Sequence, residues 1–121
     1  MALSKQEIFD RVAVHLLTQN ERSADEIFCK YRGPEGRMCA VGCLIPDEVY
    51  DIKMEGLATR SLIDHHPVIK DLFEPDALGM LGGLQNIHDH KNIREWKQAL
   101  IDLATANLLD YKVVTNFKDG E

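Results

Sequence analysis

The segment Cys29 to Tyr50, CKYRGPEGRMCAVGCLIPDEVY, concentrates the side chains of this chain that could do chemistry. It holds all three cysteines, two of the four prolines and three of the eight glycines, beside the cations Lys30, Arg32 and Arg37. Cys39 and Cys43 are four residues apart. If that stretch is helical they share a face, which suits joint metal ligation better than a disulfide, whose dihedral a helical turn rarely meets. Cys29 would then supply a third thiolate, and His65, His66, His88 or His90 a fourth ligand. The spacing C-x9-C-x3-C matches none of the usual zinc knuckles. The first expectation is therefore that the cysteines fill a tight core, as free cysteine usually does, and that no cofactor is required.

Nucleophilic chemistry is the alternative. Cys39 follows a glycine-rich turn and would sit near a helix start, where amide dipoles favour thiolate over thiol. Its base would be His88, oriented by Asp89 within Ile87-His88-Asp89-His90. Adjacent side chains diverge on a helix, so Asp89 could orient His88 only where the helix has ended. The plainer account makes Asp89 a cap for the turn or helix that follows.

A third pattern is a cationic loop. Lys30, Arg32 and Arg37 surround Gly33 and Gly36, whose amides could form an anion-binding nest, and Tyr31 could stack on a ring. The spacing is that of neither a P-loop nor a dinucleotide fingerprint. The competing expectation is a solvated turn whose arginines pair with Glu35, Asp47 and Glu48. Asp47, Glu48, Asp51 and Glu55 lack the offsets of a calcium loop and read as a solvated helix face. His65-His66-Pro67 reads as an exposed turn.

These groups must be positioned by a domain of 121 residues, long enough to bury a core without staples. Hydrophobic residues make up 45% and charged residues 28%, and no apolar run approaches the roughly 20 residues that span a bilayer. No secretory signal is visible at the N-terminus, and three cysteines, an odd number, point to a reducing, cytoplasmic compartment. Fourteen Lys and Arg against twenty Asp and Glu leave a net charge of -6, which disfavours general nucleic-acid binding. The excess is too mild for a DNA mimic.

Periodicity predicts a mostly α chain: a small bundle of about four to five helices with one short hairpin or irregular Gly/Pro loop, in one domain over residues 1–121. Ser4-x-x-Glu7 is a capping box, and Ile8, Phe9, Val12, Leu16 and Leu17 recur at helical spacing, which predicts a first helix over 5–19 with Leu3 stapled to Ile8 and His15 at the core edge. Ile27 to Tyr31 and Arg37 to Val41 flank the turn Gly33-Pro34-Glu35-Gly36, a hairpin or tight loop. Cys39 to Pro46 reads as a buried helix of two turns, restarted by Pro46-Asp47-Glu48. Pro75-Asp76 opens a helix that puts Leu78, Leu81, Leu84, Ile87 and His88 on one face. Gly79, Gly82 and Gly83 weaken it by roughly 1 kcal/mol each relative to alanine and suggest close packing against another backbone. Asn92-x-x-Glu95 opens the last long helix, with Ile93, Trp96, Leu100, Leu103, Ala104 and Leu108 inward. Tyr111 to Phe117 reads as a strand or a surface tail.

Cys29-x-Tyr31-Arg32-Gly33-Pro34-x-Gly36, Cys39-Ala40-Val41-Gly42-Cys43-Leu44-Ile45-Pro46-Asp47-Glu48, Glu55-Gly56 and Leu84-Gln85-x-Ile87-His88-Asp89 followed by Trp96 resemble the motifs of a group of small uncharacterised proteins of tailed phages and bacteria. The resemblance spans the first helix to Leu108. It implies a phage or prophage setting and transfers no catalytic residue.

With no complete catalytic signature, the expected function is a phage-associated accessory binding module, an antagonist of bacterial defence that holds a host protein or a small anionic ligand through Lys30 to Arg37, compatible with a homo-oligomer and with no membrane partner. The alternatives are a cysteine hydrolase or transferase using Cys39 and His88, and a zinc-stabilised domain using Cys29, Cys39 and Cys43.

Overall fold

The computed structural model describes residues 2–24 and 29–117. Six α-helices joined by short 3-10 turns make up most of it: α1 (Lys5–Gln19), α2 (Thr59–His65), α3 (Pro67–Lys70), α4 (Leu78–His90), α5 (Trp96–Ala106) and α6 (Lys112–Thr115). The mostly α expectation holds, with α3 and α6 only single turns.

Helix α1 runs over the predicted residues because its ends are written locally. Ser4 Oγ accepts from the Glu7 N–H, Glu7 reaches back to the Ser4 N–H, and Asn20 closes the last turn in the left-handed region. Its face of Ile8, Phe9, Val12, Ala13, Leu16 and Leu17 is buried. It packs against α4, α5, α6 and the turn at Gly42–Leu44, and so forms the central strut. His15 is half-buried at the edge of that face and donates from Nε2 to the Met38 carbonyl. Leu3 joins the core by a parallel bridge to Phe73.

Helix α4 begins after a 3-10 turn at Pro75–Ala77 and packs on α5. Gly83 lies against the Leu103 side chain, whereas a Cβ at Gly79 or Gly82 would meet nothing within 4 Å. The expected backbone contact of these glycines is therefore absent, and only Gly83 is at a close approach, to a side chain. Helix α5 starts from the predicted capping box, Asn92 with Glu95. It buries Trp96, Leu100 and Ala104, but stops at Ala106. Leu108 adopts φ 59° and is 94% exposed, so it does not point inward as its spacing suggested; Leu109 is half-buried instead. The tail folds into α6 rather than a strand, because Gln6 on α1 pairs with both the N–H and the carbonyl of Asp110, and Val114 then enters the core.

Two further expectations are corrected between α1 and α2. Residues 39–46 form a turn and a 3-10 segment, Gly42–Leu44, in place of a two-turn helix, and Pro46 to Tyr50 is a turn. The acidic run is therefore not a helix face. The Gly-Pro loop does close as a tight hairpin, with Arg32 bridged to Met38 and Gly33 N–H bonded to the Arg37 carbonyl. Glu35 and Gly36 carry positive φ there, 59° and 74°. The strand expected over 27–31 falls partly outside the described residues. Among the described residues no helix is long and apolar enough to cross a membrane.

Candidate functional site

One face of α4 carries Gly82, Gln85, Asn86, Asp89 and His90, residues whose three- and four-residue spacings stack them on adjacent turns. Opposite stand Gly56 to Thr59 and the segment Cys29 to Tyr31, and between them lies a cleft of about 490 Å³, with Cys39 also in its wall. That size suits a small organic molecule.

The wall is built on a hydrogen-bond chain centred on His88, which is fully buried and stacks on Trp96 with ring centroids 5.9 Å apart. The Ser23 N–H donates to His88 Nε2 at 2.9 Å. That leaves Nδ1 as the protonated nitrogen, donating to Asp89 Oδ1 at 2.7 Å. Gln85 Nε2 donates to the same oxygen at 2.8 Å, and Gln85 Oε1 accepts from the Val41 N–H at 3.0 Å. Arg22 closes the end of α4 by donating to the carbonyls of His88 and Lys91. Asp89 therefore orients His88 inside the helix, which ends only at His90; no break was needed, and the cap of the next helix falls to Asn92.

Burial works against the Asp89 carboxylate, yet the hydrogen bonds donated by His88, Gln85 and the Cys29 thiol outweigh it, so the carboxyl lies below its usual range. A carboxyl depressed on folding stabilises the native state above its unfolded value, about 3.9. Asp89→Asn is expected to cost about 1–3 kcal/mol at neutral pH, the scale of charge-assisted hydrogen bonds. The gap to the parent should be complete above about pH 4 and close as pH falls through the depressed folded value. Urea denaturation at several pH values measures it; a gap independent of pH would show that the charge does not matter.

The thiols are placed differently from the nucleophile expectation. Cys39 is 1% exposed, not at a helix start, and burial raises it to about 12 despite the Gly42 N–H on its sulfur. Cys43 donates to the Ala40 carbonyl and is likewise raised by burial to about 12. Both nitrogens of His88 are committed, so neither is left to take a proton from Cys39. Iodoacetamide at pH 7 is expected to leave Cys39 and Cys43 unlabelled in the folded protein and to label both in urea, read by peptide mass spectrometry. Selective labelling of native Cys39 would refute this.

Among the described residues the set with metal-ligating atoms in reach is Cys29, His88 and Asp89, all within 4.8 Å of one another; Cys39 and Cys43 are not part of it. Ligation through His88 Nδ1 would put a proton on Nε2, facing the Ser23 N–H donor to donor, and ligation through Nε2 would displace that N–H. The donor set thus fits a hydrogen-bond network better than a cation. His65 bonds the Ser61 carbonyl at 2.8 Å at the end of α2 and takes no part.

The cationic loop is turned to structural use. Arg32 pairs with Asp47, donates to the Ile45 carbonyl and lies over the Tyr50 ring, while Arg37 pairs with Glu21 and Glu35. Tyr31 is buried, with its hydroxyl donating to the Leu57 carbonyl and raised by that burial. Of the six loop residues expected to bind a ligand, Lys30 and Tyr31 line the cleft; Arg32, Gly33, Gly36 and Arg37 do not. The residue that sequence reasoning missed is Glu55. Its carboxylate accepts from the N–H groups of Tyr31 and Arg32 and from the Tyr50 hydroxyl, clamping the loop to the rest of the fold. Only the adjacent Gly56, at φ 82°, marks the turn that aims it.

Compared with protein-family models, curated proteins and solved structures, the chain finds no match.

Proposed function

We propose that the protein is a binding module for a small polar ligand, with the cleft between α4, Gly56–Thr59 and Cys29–Tyr31 as its site. The observation that carries this reading is an ionised carboxylate, Asp89, held in orientation by His88 and Gln85 and 25% exposed at the wall of a cavity of ligand size. Such preorganisation favours binding because the polar group is already desolvated and aimed. The buried, raised thiol of Cys39 and the occupied imidazole of His88 favour binding over covalent catalysis. In the phage or prophage setting implied by the motif resemblance, such a module serves as an accessory protein that antagonises bacterial defence by holding a host-derived ligand in the cytoplasm, a compartment that suits its reduced thiols.

Gly82 supplies the test. A Cβ there meets nothing within 4 Å, and the residue is exposed in the cleft wall, so a larger side chain projects into the cavity rather than into the core. Gly82→Leu is expected to raise stability by roughly 0.5–1 kcal/mol through helix propensity while abolishing ligand binding. Metabolite extracts of host cells passed over parent and variant, followed by mass spectrometry of what each retains, read the effect. Equal retention by the two proteins would place the ligand elsewhere.

A further inference from the structure

We infer that the ligand of this cleft presents an amino-bearing heteroaromatic ring, whose N–H donates to Asp89 and whose neighbouring ring position meets the Asn86 amide. This rests on the cleft reading above and names its ligand class.

The sign of the recognition follows from where the charges stand. The arginines that made an anion attractive are spent on Asp47, Glu21 and Glu35 outside the cleft. Asp89 is in the wall, and a carboxylate only accepts. Its Oδ1 takes the donors of His88 and Gln85, and the Cys29 thiol adds a third, against about four acceptor positions on a carboxylate. Acceptor capacity therefore remains on the side open to the cavity. Lys30, His90, Tyr31, Cys29 and Cys39 are the other titratable groups that face it.

Asn86 supplies the second half. It lies three residues before Asp89 on the same face, is exposed in the cleft, and its side chain makes no hydrogen bond among the described residues, so the side-chain carbonyl and amide are both available. Neighbours at this spacing have Cβ atoms roughly 5–6 Å apart, the reach of one ring edge. An acceptor beside a donor–acceptor amide complements an exocyclic amino group next to a ring nitrogen. Lys30, Thr59, Gln85 and His90 also stand in the wall, and its small apolar part, with Gly82 bare on one side and Leu57 and Ala58 on the other, suits the faces of a flat ring. A simple alkylammonium would satisfy Asp89 and leave Asn86 and these faces without a partner.

The test is a titration of the full chain, followed by calorimetry and by amide resonances, with adenosine and cytidine against the same nucleosides lacking the amino group, purine riboside and 2-pyrimidinone riboside. Spermidine and inorganic phosphate complete the set. The expected result is binding of at least one amino-bearing nucleoside, with shifts at Gly82, Asn86 and Asp89, and at least tenfold weaker binding of its counterpart without the amino group. Asn86→Ala, which leaves the His88–Asp89 network intact, should weaken binding tenfold or more with unchanged amide spectra elsewhere, and Asp89→Asn should weaken it at least as much, with further shifts confined to its partners His88 and Gln85 and their neighbours Ser23 and Val41. Equal binding with and without the amino group, preference for spermidine or phosphate, or no binding of either amino-nucleoside at millimolar concentration overturns the ligand class. Because Gly82→Leu blocks the cavity for any occupant, retention of some other molecule that this variant abolishes would sink the inference while sparing the cleft reading, whereas binding insensitive to Gly82→Leu sinks both.

Discussion

Gly42→Ala is expected to unfold the protein or leave it less stable by more than about 4 kcal/mol, in the range reserved for steric conflict in a core that cannot relax. A Cβ at position 42 would fall on the Tyr31 carbonyl oxygen and lie 2.8 Å from its carbonyl carbon, contacts with backbone rather than with a flexible side chain. Neither partner can move aside. Tyr31 is tied by its N–H to Glu55 and by its hydroxyl to the Leu57 carbonyl, and Gly42 bonds to the Cys39 sulfur and packs against α1. Gly79→Ala, at a helical site with open space, is the matched control and should gain roughly 0.5–1 kcal/mol. Urea midpoints and slopes for the two variants measure the contrast; a Gly42→Ala protein with the parent's midpoint would mean that residues 31 and 42 are not in contact.

His88→Ala should cost about 3–5 kcal/mol, through a cavity beside Trp96 and the loss of partners for Ser23 and Asp89. The ring is fully buried, stacks on Trp96, and joins a backbone N–H some 65 residues away to a carboxylate on its own helix. His88→Phe separates the two contributions: it restores volume but offers Ser23 no acceptor and Asp89 no donor. The expected order of stability is parent, then Phe, then Ala, with Phe about 1–3 kcal/mol below the parent, the cost of stranded polar groups. If Phe equalled the parent, packing alone would explain the histidine, and Asp89 would lose its claim to be held in place by it.

The nucleophile expectation illustrates why site chemistry was hard to read. It named Cys39, His88 and Asp89, of which Cys39 and Asp89 line the cleft while His88 is buried behind it. It assigned roles by residue type, and roles depend on protonation and access. His88 is occupied at Nε2 by an N–H from Ser23, a residue with no signal in the sequence. The loop arginines were expected either to hold an anion or to pair with Glu35, Asp47 and Glu48; Asp47 and Glu35 do pair with them, and the partner that no local rule supplies is Glu21, sixteen positions before Arg37.

What the amino-acid order determined alone was whatever depends on neighbours within a turn or two. The boundaries of α1, the capping boxes at Ser4 and Asn92, the buried stripes of α1 and α5 up to Ala104, and the Gly-Pro hairpin all follow from periodicity and capping, which act over three or four residues. Tertiary contact decided the rest: that Cys39 to Pro46 is not helical, that Glu55 is a clamp rather than a surface acid, that Leu108 faces outward, and that Asp89 stands ionised in a cleft wall. In each case the deciding partner is a backbone group or side chain brought close only when the chain collapses, and the cost of leaving a buried polar group or a backbone clash unresolved exceeds any local propensity.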